Sequence, residues 1–539
     1  GGGRRNIDYR YYGQVVDRDV MRHIAESLVR LRYNLIIPAS FIDIMNPPEA
    51  ALVDEVSRRG VFVSQHHIEP MGVSAFTFFN YWKARGKEYR FSYYSSPEQV
   101  EEVWRAYAEK WAEYPNVIWQ IGLRGIADRP MWMADPDTPQ SDEDRGRIIS
   151  DAMHKQMQIL DELYKDKNVR PVVTTTLWAE GSVLNQKGAL RIPEDVVIVF
   201  ADNSPGWKWQ ADFYGTTREP ERAYGVYYHH GLIGSGPHLA QIVPPHKTVE
   251  MLALARHFQS DEYAIFNVGN IREFILGVDA TSKMAWDIDT FDANRFLGSW
   301  VNRRFDNSQR QIINAYQTYF NSFAIHEKQG VPLCMDGQMR GIGNDHLGRI
   351  AGKAKAPDDI KPVVVTSRLP GKPDIESMLA SNLDVSASPS VRNEDAFYAG
   401  LSDMHPSRYP RQEMILTLQR QLAGLELALI QLESVDELPE EQADLLYDNL
   451  EYQTRLMMLL TEWCSEILKA DEGIDAGDLR QCSDRLTRAY ATFSKMDELS
   501  SRYCEGQWNN WYKGEKKIDL GAMKSKTKAV LDLVHGKLQ

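Results

Sequence analysis

Groups able to move protons or grip a sugar recur in pairs along the first 300 residues, each pair just after a short apolar run. His66, His67 and Glu69 follow one run, and Arg124 and Asp128 follow the next. Trp178 and Glu180, Asp202 and Asn203, His229 and His230, and Asn270 and Glu273 follow the four after that. A positioned carboxyl group can donate or accept a proton in a transition state. Two of them flanking a glycosidic bond are enough to hydrolyse it. Asp128, Glu69 and Glu273 are the candidates for that work, with Asp128 as base and Glu273 or Glu69 as acid. Glu180 and Asp202 stand in reserve, and either His229 or His230 can replace one acid.

The remaining polar groups suit substrate binding. Arg124 offers a planar fork that matches a carboxylate in two-point contact, which would suit an acidic sugar. An internal ion pair with Asp128 is the competing use. Trp207 and Trp209, in a loop with Ser204, Pro205 and Gly206, offer flat rings for the C–H faces of a sugar or ordinary core area. His66 and His67 beside Glu69 have the composition of a metal site. Neighbours at a strand end point in opposite directions, so hydrogen bonding to sugar hydroxyls is expected instead, with no metal and no cofactor.

The elements that must position these groups are legible. Eight runs centre on Tyr11, Ile36, Phe62, Trp119, Val173, Val199, Val226 and Phe266, rich in Val, Ile, Phe and Tyr, and most are too short for helices. Helix-like segments separate them, including 17–31, 47–59, 96–111, 144–164, 248–258 and 292–304. Alternation of strand and helix predicts a parallel sheet. Eight repeats predict an α/β fold of (β/α)8 TIM-barrel type, whose functional groups sit at the carboxyl ends of the strands. The stretches 71–95 and 128–141 read as long βα loops of the kind that build substrate sites.

Residues 1–332 are expected to form the barrel. Residues 333–408, with Pro, Gly and Ser clusters, read as an irregular connection. Residues 409–539 read as a helical bundle: Ile415, Leu418, Leu422, Leu425, Leu429 and Leu432 keep a three-four spacing, as do Leu446, Leu450, Met457, Leu460 and Ile467. The polar aromatic stretch 505–512 reads as a loop able to cap the barrel mouth.

With 539 residues, 43% hydrophobic and 25% charged, the chain has the composition of a globular protein of more than one domain. A net charge of -13 argues against nucleic acid as a partner. No stretch approaches the ~20 apolar residues of a membrane span, and residues 1–5 show no apolar core of a secretory leader. Cys334, Cys464, Cys482 and Cys504 form no CxxC pair, so they read as buried thiols.

Taken together, the segments 34–39, 66–71, 121–131, 224–237, 267–269 and 284–287 resemble glycoside hydrolase family 115, the xylan α-1,2-glucuronidases. The resemblance falls in order across the whole barrel, with a looser match at Gly506-Gln507-Trp508-Asn509. It implies a barrel followed by a helical domain, an inverting glycosidase acting on an acidic oligosaccharide or polysaccharide, and a secreted or periplasmic location. It also leaves a homodimer open. Members usually carry an α/β domain before the barrel and a β-sandwich after the helices, and this chain has room for neither. Several acids of the family pattern are absent. Gly13-Gln14 stands where acids follow the first strand, Arg124-Gly125-Ile126-Ala127-Asp128 keeps only the second Asp of its motif, Gly231 stands near another, and Asn270 replaces an Asp. A carbohydrate-binding relative that has lost catalysis is therefore the alternative function.

Overall fold

The computed structural model describes residues 18–38, 40–126, 128–167, 169–202, 206–232, 236–269, 271–325, 330–354, 410–505, 508, 509, 512, 515 and 518–538, with the backbone of 4–5 and 15–16. Seven strands run in parallel, each hydrogen-bonded to the next in chain order. They are β1 (Leu35–Ile36), β2 (Phe62–Ser64), β3 (Val117–Gln120), β4 (Val173–Leu177), β5 (Val196–Ala201), β6 (Tyr224–His229) and β7 (Tyr263–Asn267). Helices fill the connections, and the result is a nearly closed barrel of the expected class. The eighth expected strand, around Tyr11, lies outside the described residues.

Period-two alternation divides each strand between two cores. On β5 and β6, Val199, Ala201 and Tyr227 join Trp178 inside the barrel, while Ile198, Phe200, Val226 and Tyr228 face outward. The edge strands β1 and β7 are only half-buried. Tyr33, just before β1, reaches across: its hydroxyl lies 2.6 Å from Thr281 Oγ1 and donates to the Val278 carbonyl at 2.8 Å, and its ring meets Phe266 of β7.

The barrel helices fall close to where the sequence placed them. α1 (Arg18–Arg30), α2 (Pro47–Ser57), α4 (Pro97–Trp111) and α5 (Asp142–Tyr164) lie within three residues of their sequence-based bounds. Ser141 caps α5 by accepting the Asp144 amide. The stretch 71–95 is not a bare loop. It carries α3 (Ala75–Lys83), nine residues too short and too uniformly apolar to show a helical stripe, opened by a capping box between Ser74 and Thr77. After β4 and β5 come the short α6 (Glu180–Gln186) and α7 (Ala211–Gly215), then α8 (Pro245–His257). After β7 come α9 (Ile275–Trp286), α10 (Ala293–Asn302) and α11 (Gln309–Ser322).

Residues 336–354, expected to open an irregular connection, form α12 (Asp336–Ala354). Its five glycines concealed it, since glycine is poor helix material. At Gly343 the reason is contact: a Cβ there would run into the Trp463 ring. Residues 355–409 of that stretch lie outside the described residues. The bundle continues with α13 (Arg411–Glu433), α14 (Glu440–Leu446), a π-helical turn at Tyr447–Glu451, α15 (Tyr452–Asp475), α16 (Leu479–Tyr503) and α17 (Leu520–Leu538). Leu418, Leu425, Leu432, Leu450, Met457, Leu460 and Ile467 are buried, as their spacing requires. Cys334, Cys464 and Cys482 are buried thiols there, and Cys504 is half-buried.

Trp463 is fully buried and its indole N–H donates to Thr527. Trp463→Ala is expected to cost ~3–5 kcal/mol of stability and Gly343→Ala ~1–3 kcal/mol by overpacking. Urea unfolding midpoints at constant slope will measure both.

Candidate active site at the barrel mouth

β3 ends at Gln120, and four residues later Arg124 turns inward, with only 7% of its side chain exposed. One Nη donates to Glu180 Oε1 and the other to Asp128 Oδ1 at 2.7 Å. Asp128 is 46% exposed and also receives His67 Nε2 at 3.2 Å. Burial pushes the Asp128 carboxyl up, but Arg124 and His67 outweigh it and hold the group well below the usual carboxylate range. Water at its open side screens part of that pull. Burial raises Glu180, with Arg124 only partly offsetting it. The fork of Arg124 is thus occupied within the chain, the second of its two expected uses.

Glu180 and Trp178 are aimed by strained backbone. Ala179 between them has φ 50° and ψ −110°, a conformation that costs an L residue of order 1–3 kcal/mol and clusters at functional sites. The Trp178 ring lies 6.0 Å from His67 and 5.4 Å from His229. His66 and His67 do not alternate, because β2 has already ended and residues 66–69 form a turn closed by the Glu69 amide on the His66 carbonyl. Their rings stand 4.1 Å apart on one side of the mouth. Burial lowers both imidazoles, and Asp128 pulls the other way.

Two contributors were not among the sequence-based candidates. Tyr227 sits two residues before His229 on the same face of β6, within 4.2 Å of its ring. Asn267 pairs with His229 in strand register and donates to the Tyr227 hydroxyl at 2.8 Å. His66 Nε2 lies 3.4 Å from the same hydroxyl. The alternation rule applied backward from His229 would have found Tyr227.

The structure gathers His66, His67, Arg124, Asp128, Trp178, Glu180, Asp202 and His229, with Asp202 buried beneath His229. The others lie elsewhere. Glu69 faces the loop after β1, where its carboxyl accepts the Phe41 amide at 2.8 Å and the His66 amide at 3.3 Å. Burial pushes it up to about 8. Glu273 follows β7 against the bundle and accepts the Tyr512 hydroxyl, and burial pushes it up to about 7. His230 points outward, as alternation from His229 demands, and packs against Gly277 of α9. Trp207 and Trp209 are both in the large core, where Trp209 donates to the Met251 carbonyl. Asn203 and Asn270 lie outside the described residues.

The bundle holds the far rim. Asp336 accepts the amides of His238 and Leu239 in the loop after β6, and His238 meets Glu515 at 3.1 Å. Arg272 pairs with Asp448 at 2.6 Å, and its guanidinium stacks 3.5 Å from the Tyr503 ring centre and 4.2 Å from that of Trp508. Trp508 and Tyr512 therefore lie on the turn after β7.

A parallel barrel whose strand ends gather acids, imidazoles and an indole has the architecture of an enzyme that works at that face. The family model for glycosyl hydrolase family 115 matches residues 5–329, and the chain belongs to that family. Among solved structures, it is similar to a family GH115 4-O-methyl-alpha-glucuronidase with specificity for decorated arabinogalactans, at 16% identity and a TM-score of 0.60, covering 93% of this chain and 56% of that one. The chain thus spans little more than half the length of that protein. A GH138 enzyme targeting pectin rhamnogalacturonan II aligns at 10% identity and a TM-score of 0.48, covering 96% and 63%. A search of curated protein sequences found no match.

Two outcomes are expected. Arg124→Ala leaves buried Glu180 without its counter-charge and is expected to cost ~3–5 kcal/mol at neutral pH, and less at pH 5, where Glu180 protonates more readily. Chemical unfolding at the two pH values will show it. Glu69 has a folded-state pKa of about 8, above its ordinary 4.5. Its stabilisation is complete below about 4.5 and is lost as pH rises through about 8. The melting-temperature advantage of wild type over Glu69→Gln should shrink steadily from pH 5 to pH 9.

Proposed function

We propose that this chain is a glycoside hydrolase acting on an acidic, uronic acid-containing glycan. The observation that carries the hydrolase class is one buried guanidinium holding two carboxyl groups, Asp128 and Glu180, beside a rim of Trp178, Tyr227, His66, His67 and His229, while the acidic substrate rests on the family alone. Glu180, whose carboxyl is raised by burial, has the character of a proton donor to the leaving oxygen. Asp128, ionised and half open to solvent, is the second carboxyl of the pair. The family membership supports the glycosidase class, and the inverting course rests on the family resemblance. Glu180 takes the acid role in place of Glu69 and Glu273, whose carboxyls are bonded to their own surroundings. A secreted or periplasmic location accords with an acidic polysaccharide as substrate.

That same disposition of Glu69 and Glu273 favours a second reading, a carbohydrate-binding relative that no longer cleaves. A panel of acidic oligosaccharides separates the two. Release of a free uronic acid, reduced at least ~100-fold in Asp128→Asn and in Glu180→Gln, is expected. Saturable binding without release across the panel would establish the binder instead.

A further inference from the structure

Asp202 and His229 have no proton-transfer role above, yet their contact is shorter than the Asp128 bonds to Arg124 and His67. Asp202 is completely buried, and both its oxygens address His229. Oδ2 accepts the His229 amide at 2.8 Å and Oδ1 lies 2.6 Å from Nδ1. A carboxylate oxygen only accepts, so Nδ1 carries the hydrogen and the neutral ring presents Nε2 as a lone pair. Nε2 has no hydrogen-bond partner among the described residues. Strand alternation puts the ring on the inward face of β6, between Tyr227 at 4.2 Å and Trp178 at 5.4 Å.

We propose that His229 accepts the proton of the attacking water at Nε2 and that Asp202 is the positioning residue that fixes its tautomer. The proposal rests on the hydrolase reading and deepens it. The water oxygen forms a bond to the anomeric carbon while the glycosidic C–O bond breaks. The electron pair of that bond leaves on the glycosidic oxygen, which takes the proton of Glu180. The proton released by the water passes to His229, and the imidazolium is balanced by Asp202. Exchange with solvent then returns Glu180 and His229 to their starting states. Asp128 stays ionised throughout, a fixed negative charge beside the oxocarbenium-like carbon.

The division of labour follows from base strength. A general base works best with a pKa near the operating pH. A carboxylate held far below its ordinary range by Arg124 and His67 is a weak base, whereas His229 Nε2 carries an unengaged lone pair on the inward face of β6. The titratable groups around His229 are Asp202, His66, His67, Tyr227 and its neighbour His230.

The test combines a rate profile with a spectroscopic one. With 4-nitrophenyl α-D-glucuronide and the active members of the acidic panel, Asp202→Asn and His229→Gln should each lower kcat at least 100-fold with KM changed less than threefold. The double variant should be no worse than either single one. In 15N-histidine-labelled wild type, His229 should carry its proton on Nδ1 at high pH, and Asp202→Asn should shift that tautomer. Retained hydrolysis with Asp202→Asn within threefold of wild type would overturn the proposal while leaving the hydrolase reading intact. Absence of turnover on every substrate would sink that reading and the proton-acceptor role with it. The tautomer spectrum would then decide the positioning role alone: a His229 proton on Nε2, or no response to Asp202→Asn, would remove it.

Discussion

One buried cation organises the mouth of this barrel. The Arg124 guanidinium has almost no contact with water, and desolvating it is costly unless it is paired. It is paired twice, to Asp128 in its own loop and to Glu180 at the end of β4. That double contact ties the end of β3 to the turn after β4. It also sets two carboxyls apart in character. The half-exposed Asp128, which also meets His67, is held ionised, while the more deeply buried Glu180 is raised despite the same partner. Separation of this kind between neighbouring acids is how a single fold provides a proton donor and a fixed anion together.

The opposite rim depends on the helical bundle. The loops after β6 and β7 are held by Asp336, Asp448, Gln453, Tyr503, Trp508 and Tyr512. Arg272 here plays a part like that of Arg124 across the mouth: a guanidinium made compatible with burial by one carboxylate and, in place of a second, two aromatic faces.

Much of this architecture was legible in the sequence because it is periodic. The apolar runs gave seven strands in the right places, and the three-four leucine stripes gave the bundle. What escaped was aperiodic. α12 was hidden by glycines whose purpose is visible only with Trp463 against them, and α3 by a run apolar all round. At the site, the pairing of residues with strand ends located eight of the candidates, including Arg124, Asp128, Glu180 and the Asp202–His229 pair. It could not tell an inward side chain from one in a turn. Glu69 and His230 lie within two residues of groups at the mouth yet turn away, and Glu273 is held by a tyrosine 239 residues distant. Tyr227 was passed over because it reads as an ordinary strand residue.

The distribution of buried apolar groups has a bearing on how the polypeptide assembles. One cluster unites α1 to α5 with β1 to β3 and reaches Val173 of β4 and Val196 of β5, and another runs without a break from Leu177 of β4 and the outer faces of β5 and β6 through α8 to α11 into the bundle. The natural parting line for folding therefore runs through β4, midway round the barrel, and not where the barrel ends along the chain. A half-barrel plus bundle is the larger cooperative block, and Arg124, reaching from β3 to Glu180, is one of the stitches across the divide.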